Sequence, residues 1–381
     1  MLRPTLGRRS HTHPSRRPED VTSLGFLDPS LTPVITRPAR RRGTLCQLLG
    51  HDTRPHPRPA LDRKTIMATE LLRSSLTGDM VNVLTWPDPA LASADTITFG
   101  AVHLDVTDLR RSTAFWRDVV GLVERASGHN HVELGTADET LIALYGGATA
   151  GFQNGFSGIY HPAIHAPTEA DFARMLLRLL RAGWPISPTD HIFSKAIYFK
   201  DPDGITVEIT LETPGRMESI QYGGRTLLVI DKDGVPRSGR DRLDLDAVLE
   251  SLPGDDDASV VRGTRVGHVH LYGADVSSSH AFYTGLGFNG GIYAPSFGAI
   301  DFGAGGAFNH RIGVNTWQGA GAPPAPEGTA RMRHFTMRFD TSARLDQALG
   351  TTRDAVEVDE GHIVKDPSGN TILLANAPGQ R

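Results

Sequence analysis

The sequence predicts an α+β fold: four βαβββ modules in two tandem domains, each built on curved mixed sheets. Three observations carry this. First, Val102-His103-Leu104, Asp108-Leu109, Ala114-Phe115-Trp116 and Gly121-Leu122 reappear in order as Val269-His270-Leu271, Asp275-Val276, Ala281-Phe282-Tyr283 and Gly287-Phe288, at an offset of about 167 residues. Second, Asp201-Pro202-Asp203-Gly204 reappears at nearly the same spacing as Asp366-Pro367-Ser368-Gly369. Two ordered pairs at one offset point to tandem duplication. Third, within each half the apolar pattern changes twice from alternation to a helical stripe and back.

The elements follow in order. Ile97 to Val106 alternates and is rich in Val and Ile, which predicts a strand. Asp108 to Val120 places Leu109, Ala114, Phe115 and Val119 on one stripe behind a capping Asp108, which predicts a helix. Short strands are expected around Val132–Leu134 and Thr140–Tyr145. The second module opens with a strand at Ile159–Ala166 and continues with a helix from Glu169 to Ala182, whose apolar positions are Phe172, Met175, Leu176, Leu179 and Leu180. Gly183 ends that helix. A strand at Ala196–Lys200, a turn at Asp201–Gly204 and a strand at Thr206–Leu211 close the module. The second half repeats the plan from Val266 to Ile312 and from Met332 to Asn376.

The domains are therefore expected at residues 95–213 and 263–378, joined by a polar linker at 214–262. Within the linker, Leu243 to Leu252 suits a short helix, and Asp255-Asp256-Asp257 reads as a solvated turn. Residues 1–94 read as a disordered, basic, Arg- and Pro-rich extension, in which Met67 or Met80 is an alternative start. Up to Lys64 it holds about thirteen Lys/Arg against about five Asp/Glu, with no sustained apolar period. Its only apolar patch, Leu45 to Leu49, is shorter than a secretory core. The formal net charge is -4, and no apolar run approaches the ~20 residues that span a bilayer. The single cysteine, Cys46, excludes an internal disulfide and a CxxC zinc site. These features suit a cytoplasmic protein with neither nucleic acid nor membrane as partner.

Strand alternation puts residues i and i+2 on one face. His161 and His165 then share a face, as do His268 and His270, while Ala101 and His103 hold the corresponding places in the first module. Thr206, Glu208 and Thr210 share a face of the strand that closes the second module. Glu208 stands out because Val207 and Ile209 occupy the other face, and a carboxylate inside a curved sheet is costly unless paired or bound to metal. The bland alternative is a glutamate on a half-exposed strand. Two imidazoles and one carboxylate on one face would form the facial triad that leaves positions open on Fe(II).

At these residues the chain resembles the vicinal-oxygen-chelate superfamily, and within it the two-half catechol 2,3-dioxygenases of the Bacillus type. The resemblance rests on Gly158-Ile159-Tyr160-His161, Asp190-His191 with Ser194, Tyr198 with Asp201–Gly204, and Glu208. In the second half it rests on Gly267-His268-Val269-His270-Leu271, Gly313–Trp317 and Gly321–Pro324. It implies curved sheets around a metal site made by two paired modules: one gives a His from its first strand, the other a His from its first strand and a Glu from its last. Only the second module has both, as His161 and Glu208; the first has Ala101 at the matching place and the third has His268. The expected ligands are therefore His161, His268 and Glu208, with the second module paired to the third. The competing arrangement pairs the first and second modules and uses His103, but two residues along a strand shift a ligand by about 6.5 Å. The first and fourth modules would form a metal-free partner site, where Leu373 replaces the carboxylate.

The resemblance further implies ring opening of a catechol, a small aromatic diol, with Fe(II), or Mn(II) in its place, and O2 as co-substrate. Tyr198 would donate to a substrate oxygen, His191 would lie behind the substrate, and His310 would act as acid and base. Asn309-His310-Arg311 departs from the family's run of histidines, so whether His310 or Arg311 faces the metal stays open here. Rival expectations are a metal-dependent lyase or isomerase on the same scaffold, a small-molecule-binding resistance protein, and a paralogue that folds without chemistry. Oligomeric state, including a homo-oligomer, is left open.

Overall fold

The opening strands of the four modules pair second with third and first with fourth, so each large sheet draws on both halves of the chain. The structure, a computed structural model, describes residues 82–223, 226–254 and 259–379. Strand β1 (Asn82–Leu84) precedes the first module, which runs β2 (Ile97–Val106), α1 (Leu109–Ala114), β3 (Val123–Ser127), β4 (His131–Gly135) and β5 (Thr140–Gly146). The second is β6 (Gly158–His165), α2 (Glu169–Arg181), β7 (Ser187–Asp190), β8 (Ser194–Lys200) and β9 (Thr206–Glu212). Between the halves lie β10 (Met217–Gly223), β11 (Thr226–Asp231), β12 (Pro236–Arg237), β13 (Asp241–Arg242) and α3 (Leu245–Leu249). The third module is β14 (Arg265–Tyr272), α4 (Val276–Gly285), β15 (Tyr293–Ala294), β16 (Ala299–Phe302) and β17 (Ile312–Asn315). The fourth is β18 (Arg331–Phe339), α5 (Ser342–Thr351), β19 (Val356–Val358), β20 (Gly361–Lys365) and β21 (Thr371–Asn376).

One sheet has nine strands in the order β13-β7-β8-β9-β6-β14-β17-β16-β15, and another has eight in the order β19-β20-β21-β18-β2-β5-β4-β3. In each module the last strand lies parallel to the first, as the helical crossover between them requires. The two opening strands at the centre of each sheet are antiparallel. Alternate residues of β9 (Val207, Ile209, Leu211) enter one apolar core shared by both sheets, which leaves Thr206, Glu208 and Thr210 for the concave side.

Local chemistry accounts for the helices. Asp108 caps α1 by accepting from the Arg111 amide, and Thr168 caps α2 by accepting from the Asp171 amide. Phe172, Met175, Leu176 and Leu179 of α2 are buried, whereas Leu180 stays exposed at the edge of the stripe. The helix expected over Asp108–Val120 divides: after Ala114 it widens into a π-helical stretch, Phe115–Val120, that buries Phe115 and Trp116.

Two expectations require correction. The extension assigned to residues 1–94 is ordered at its end: β1 pairs antiparallel with β10, and the Trp86 ring lies 5.0 Å from Phe193 and 5.3 Å from Phe308. The sequence reading missed this because three residues make too short a strand to show a period. The rest of that extension, with Cys46, Met67 and Met80, falls outside the described residues. Between the halves, the expected short helix is only α3, but the segment also folds β10, β11 and β12 with β1 into a four-stranded sheet. The Asp255–Asp257 turn falls outside the described residues. Among the described residues, no helix is long and apolar enough to cross a membrane.

Trp86 joins the end of the extension to the nine-stranded sheet's surface. Trp86→Ala should therefore destabilise the protein by about 1–3 kcal/mol, less than a fully buried Trp because the ring is half-exposed; urea denaturation measures it.

Candidate metal centre

Three strands of the nine-stranded sheet build the centre. Ala163 on β6 lies in register with Glu208 on β9 to one side and with His268 on β14 to the other. Flanking strands each stand about 4.8 Å from the middle one. Glu208 and His268 thus reach toward each other above the small Ala163 side chain, and His161 joins them from two residues along β6. The register shifts between Val266 and His268, leaving Gly267 as an extra residue on β14. A one-residue shift flips a strand's faces, so this bulge turns His268 to the side of His161, Ala163 and His165.

The donor atoms converge closely. The Nε2 atoms of His161 and His268 are each 3.0 Å from Glu208 Oε2 and 3.3 Å from each other. All three residues are buried, each at most 1% exposed. Thr210 Oγ1 donates to Glu208 Oε1 at 2.8 Å, which leaves Oε2 turned to the histidines. Burial pushes His161 and His268 below the usual imidazole value, so both are neutral near pH 7 and offer lone pairs. Burial alone would raise Glu208, but contact with His268 and His161 holds it well below the usual carboxylate range. Two neutral nitrogens and one anionic oxygen are a fitting donor set for a divalent cation. Their spacing fits as well: bonds of about 2.1 Å at right angles put donor atoms about 3.0 Å apart, one face of an octahedron. Among the described residues, this is the one group of three or more His, Cys, Asp or Glu side chains placed to hold an ion.

A cleft with largely apolar walls opens on this centre. Tyr198, His191, Glu208, Asp301 and His310 line its inner end. Tyr198 is the cross-strand neighbour of Glu208. His191 Nδ1 donates to the Gly239 carbonyl at 2.5 Å, so Nε2 is left as the acceptor for the Tyr198 hydroxyl, 3.0 Å away. Burial and the nearby Glu208 charge push the Tyr198 phenol well up.

The structure places His310 on the cleft side, its ring 4.4 Å from that of His268. Arg311 points the other way, to Glu212 at 2.6 Å and Asp95 at 2.8 Å. Asp301 Oδ2 lies 2.7 Å from His310 Nδ1; burial would lower that imidazole, but the carboxylate outweighs it and raises its pKa. His103 lies in the eight-stranded sheet, stacked on His334 with ring centroids 3.9 Å apart and hydrogen-bonded to the Tyr145 hydroxyl. It is not brought to Glu208.

Several functional side chains escaped the sequence reading. Asp301 gave no signal there, because it sits on a short strand of the third module. The cleft walls Ile220, Leu227, Val229, Ser238 and Gly239 come from the segment read as a linker. His165 was visible on the face of His161 but had no partner until β14 was placed beside it.

With this geometry in hand, the comparisons with known proteins define the class: the chain belongs to the glyoxalase/bleomycin resistance protein/dioxygenase superfamily and is an enzyme of the vicinal-oxygen-chelate kind. Residues 98–209 match the family described as "Glyoxalase/Bleomycin resistance protein/Dioxygenase superfamily". Among individual relatives, the chain is 30% identical over 284 residues to the catechol-2,3-dioxygenase of Bacillus subtilis (strain 168), covering 72% of this chain and 95% of that one. Among solved structures, a putative dioxygenase from Bacillus subtilis subsp. subtilis str. 168 aligns with a TM-score of 0.48 at 13% identity, over 76% of this chain and 87% of that one. Glyoxalase I from Zea mays aligns with a TM-score of 0.43 at 12% identity, over 74% and 93%.

Two outcomes are expected. Ala163→Leu fills the space where Glu208 and His268 meet, so it should abolish metal binding with every donor residue intact; equilibrium dialysis with Co(II) checks this. Burial also pushes His165, His191 and His270 below 6.5, as it does His161 and His268. The unfolded chain binds protons at these positions near pH 6.5 and the folded chain does not. The stability of metal-free protein is then fully present above pH 6.5 and is lost as pH falls below it. Thermal melts at pH 8, 6.5 and 5 should show a Tm that holds and then declines; a flat Tm to pH 5 would contradict it.

Proposed function

We propose that the protein is an extradiol ring-cleaving dioxygenase that acts on a catechol-type substrate, with Fe(II) held by His161, His268 and Glu208 and O2 as co-substrate. Mn(II) suits the same three donors. The observation that carries this reading is a buried two-histidine, one-carboxylate face at the inner end of an apolar cleft, with acid–base side chains on the cleft walls. His161, His268 and Glu208 would hold the ion, and three protein ligands would leave room on it for both substrates. Held there, a ferrous ion would lower the pKa of a bound phenol and bring the two substrates together.

The chain's own groups supply binding and proton movement. Ile220, Leu227, Val229, Phe193 and Ile292 exclude water and face an aromatic ring. The Tyr198 hydroxyl shares its proton with His191 Nε2. Because that hydrogen is committed to His191, Tyr198 accepts from a catechol hydroxyl instead of donating to a substrate oxygen as the resemblance implied: the catechol proton can pass to the Tyr198 oxygen as the tyrosine's own proton moves to His191. Burial disfavours the resulting imidazolium and the Glu208 charge only partly offsets this, so His191 holds the proton in passing rather than at rest. Asp301 keeps a proton on His310 Nδ1 and leaves Nε2 for the cleft that the ring lines. His310 is thus placed to give a proton to oxygen in the cleft and to recover it later, general acid then general base.

Iron quantitation on purified variants tests the ligands: His161→Ala, His268→Ala and Glu208→Ala should lose iron, and His103→Ala should keep it. Retained iron in His268→Ala would sink the ligand set. Anaerobic Fe(II) loading followed by catechol and air should give the yellow ring-fission product. Tyr198→Phe should hold iron normally while kcat falls by about 10²-fold. Iron-loaded protein that gives no colour with any simple catechol would count for a lyase or isomerase on this scaffold.

A further inference from the structure

His268 is held at both ring nitrogens. Its Nε2 faces Glu208, and its Nδ1 lies 2.7 Å from His165 Nε2. His165 Nδ1 in turn lies 2.8 Å from Glu212 Oε1. A carboxylate only accepts, so His165 carries its hydrogen on Nδ1. A neutral His165 then presents a lone pair at Nε2, which accepts from the Nδ1–H of His268. That leaves the His268 Nε2 lone pair aimed at the point where His161 and Glu208 meet.

The far end of this chain is fixed. Glu212 also accepts from Arg311 Nη1 and from Arg265 Nη2, each at 2.6 Å. Arg311 is itself held by Asp95 at 2.8 Å and by the Gly267 carbonyl at 3.1 Å. Gly267 supplies an independent observation. A Cβ at this position would lie 2.0 Å from His165 Cγ and 2.2 Å from its Nδ1, so the imidazole rests directly on the β14 backbone. No other residue type leaves room for it. The extra residue that turns His268 to the metal face is also the residue that admits the His165 ring.

We propose that His165, anchored by Glu212, is a positioning residue: it fixes which nitrogen of His268 is protonated and the plane of its ring, and so sets metal affinity. This rests on the reading of His161, His268 and Glu208 as metal ligands. Groups that orient a ligating histidine through its other nitrogen typically change metal affinity 10–100-fold when removed. Gln at position 165 keeps an acceptor for His268 and a donor for Glu212; Phe keeps only the volume.

The test measures Co(II) affinity by chelator competition, with the visible spectrum of the bound ion and the Tm of metal-free protein recorded alongside. His165→Phe should weaken Co(II) binding by about 10–100-fold and shift the spectrum. His165→Gln should recover most of the loss. Gly267→Ala, with every donor present, should displace the imidazole and behave like His165→Phe. A merely structural role would lower Tm and leave the affinity and spectrum of folded protein unchanged, which overturns the proposal. If His165→Phe does not fold, Gly267→Ala against His165→Gln decides: equal, wild-type affinities in both overturn it. No step uses a catechol, so absent ring cleavage would count against the proposed function and leave this inference standing. Wild-type protein that binds no Co(II) would overturn the ligand set and the inference together.

Discussion

A charged carboxylate in a protein interior is costly, and the nine-stranded sheet is arranged around one. Glu208 is 1% exposed and sits on a strand whose other face belongs to the core. Unpaired, a group in that position would take up a proton. It stays ionised because two imidazole nitrogens and the Thr210 hydroxyl meet it. Those partners come from β6, β14 and β9 itself, so the charge is tolerated only when the halves of the chain are joined. The strand pairing, the bulge at Gly267 and the small Ala163 all serve this one meeting of atoms.

The second sheet has the same plan without the charge. Leu373 stands where Glu208 stands in its counterpart, and Ala101 where His268 stands. What remains there is a stacked pair, His103 on His334, leaning on Tyr145 and partly open to solvent. Burial and the neighbouring His334 and Arg333 push His103 down to about 3, so it carries no charge that would need a partner. One sheet carries the candidate metal centre, and the other has the same fold without the residues that are costly to bury.

Much of this was legible in the sequence, for a physical reason. Duplication leaves matched positions, and matched positions expose the odd residue. Val207 and Ile209 mark the core face of β9, so Glu208 between them had to be accounted for. Strand parity put His161 beside His165, and the resemblance to the superfamily, applied module by module, implied His268 and the pairing of the second module with the third. What parity could not show was the bulge at Gly267, because an extra residue in one strand is defined only against its partner. Nor could it choose between His310 and Arg311, which needed the preceding loop in place. The four-stranded sheet was missed because its outer strands, β1 and β12, have only three and two residues and the whole sheet lies outside the repeat. Glu212 matters through what it touches, and contact across about 50 residues leaves no local pattern; Asp301 meets His310 only across an irregular loop, which shows no period either.

The crossed pairing of modules bears on how the chain comes to be folded. β2 and β6 are both made in the first half of synthesis, yet their antiparallel partners, β18 and β14, lie in the second half. Each opening strand therefore leaves the ribosome with one edge unmatched and waits for a segment that does not yet exist. Unpaired strand edges invite pairing with other chains. For a nascent polypeptide made in this order, the hazard is greatest between the two halves, and it ends only with β18, the last of the four opening strands to be made.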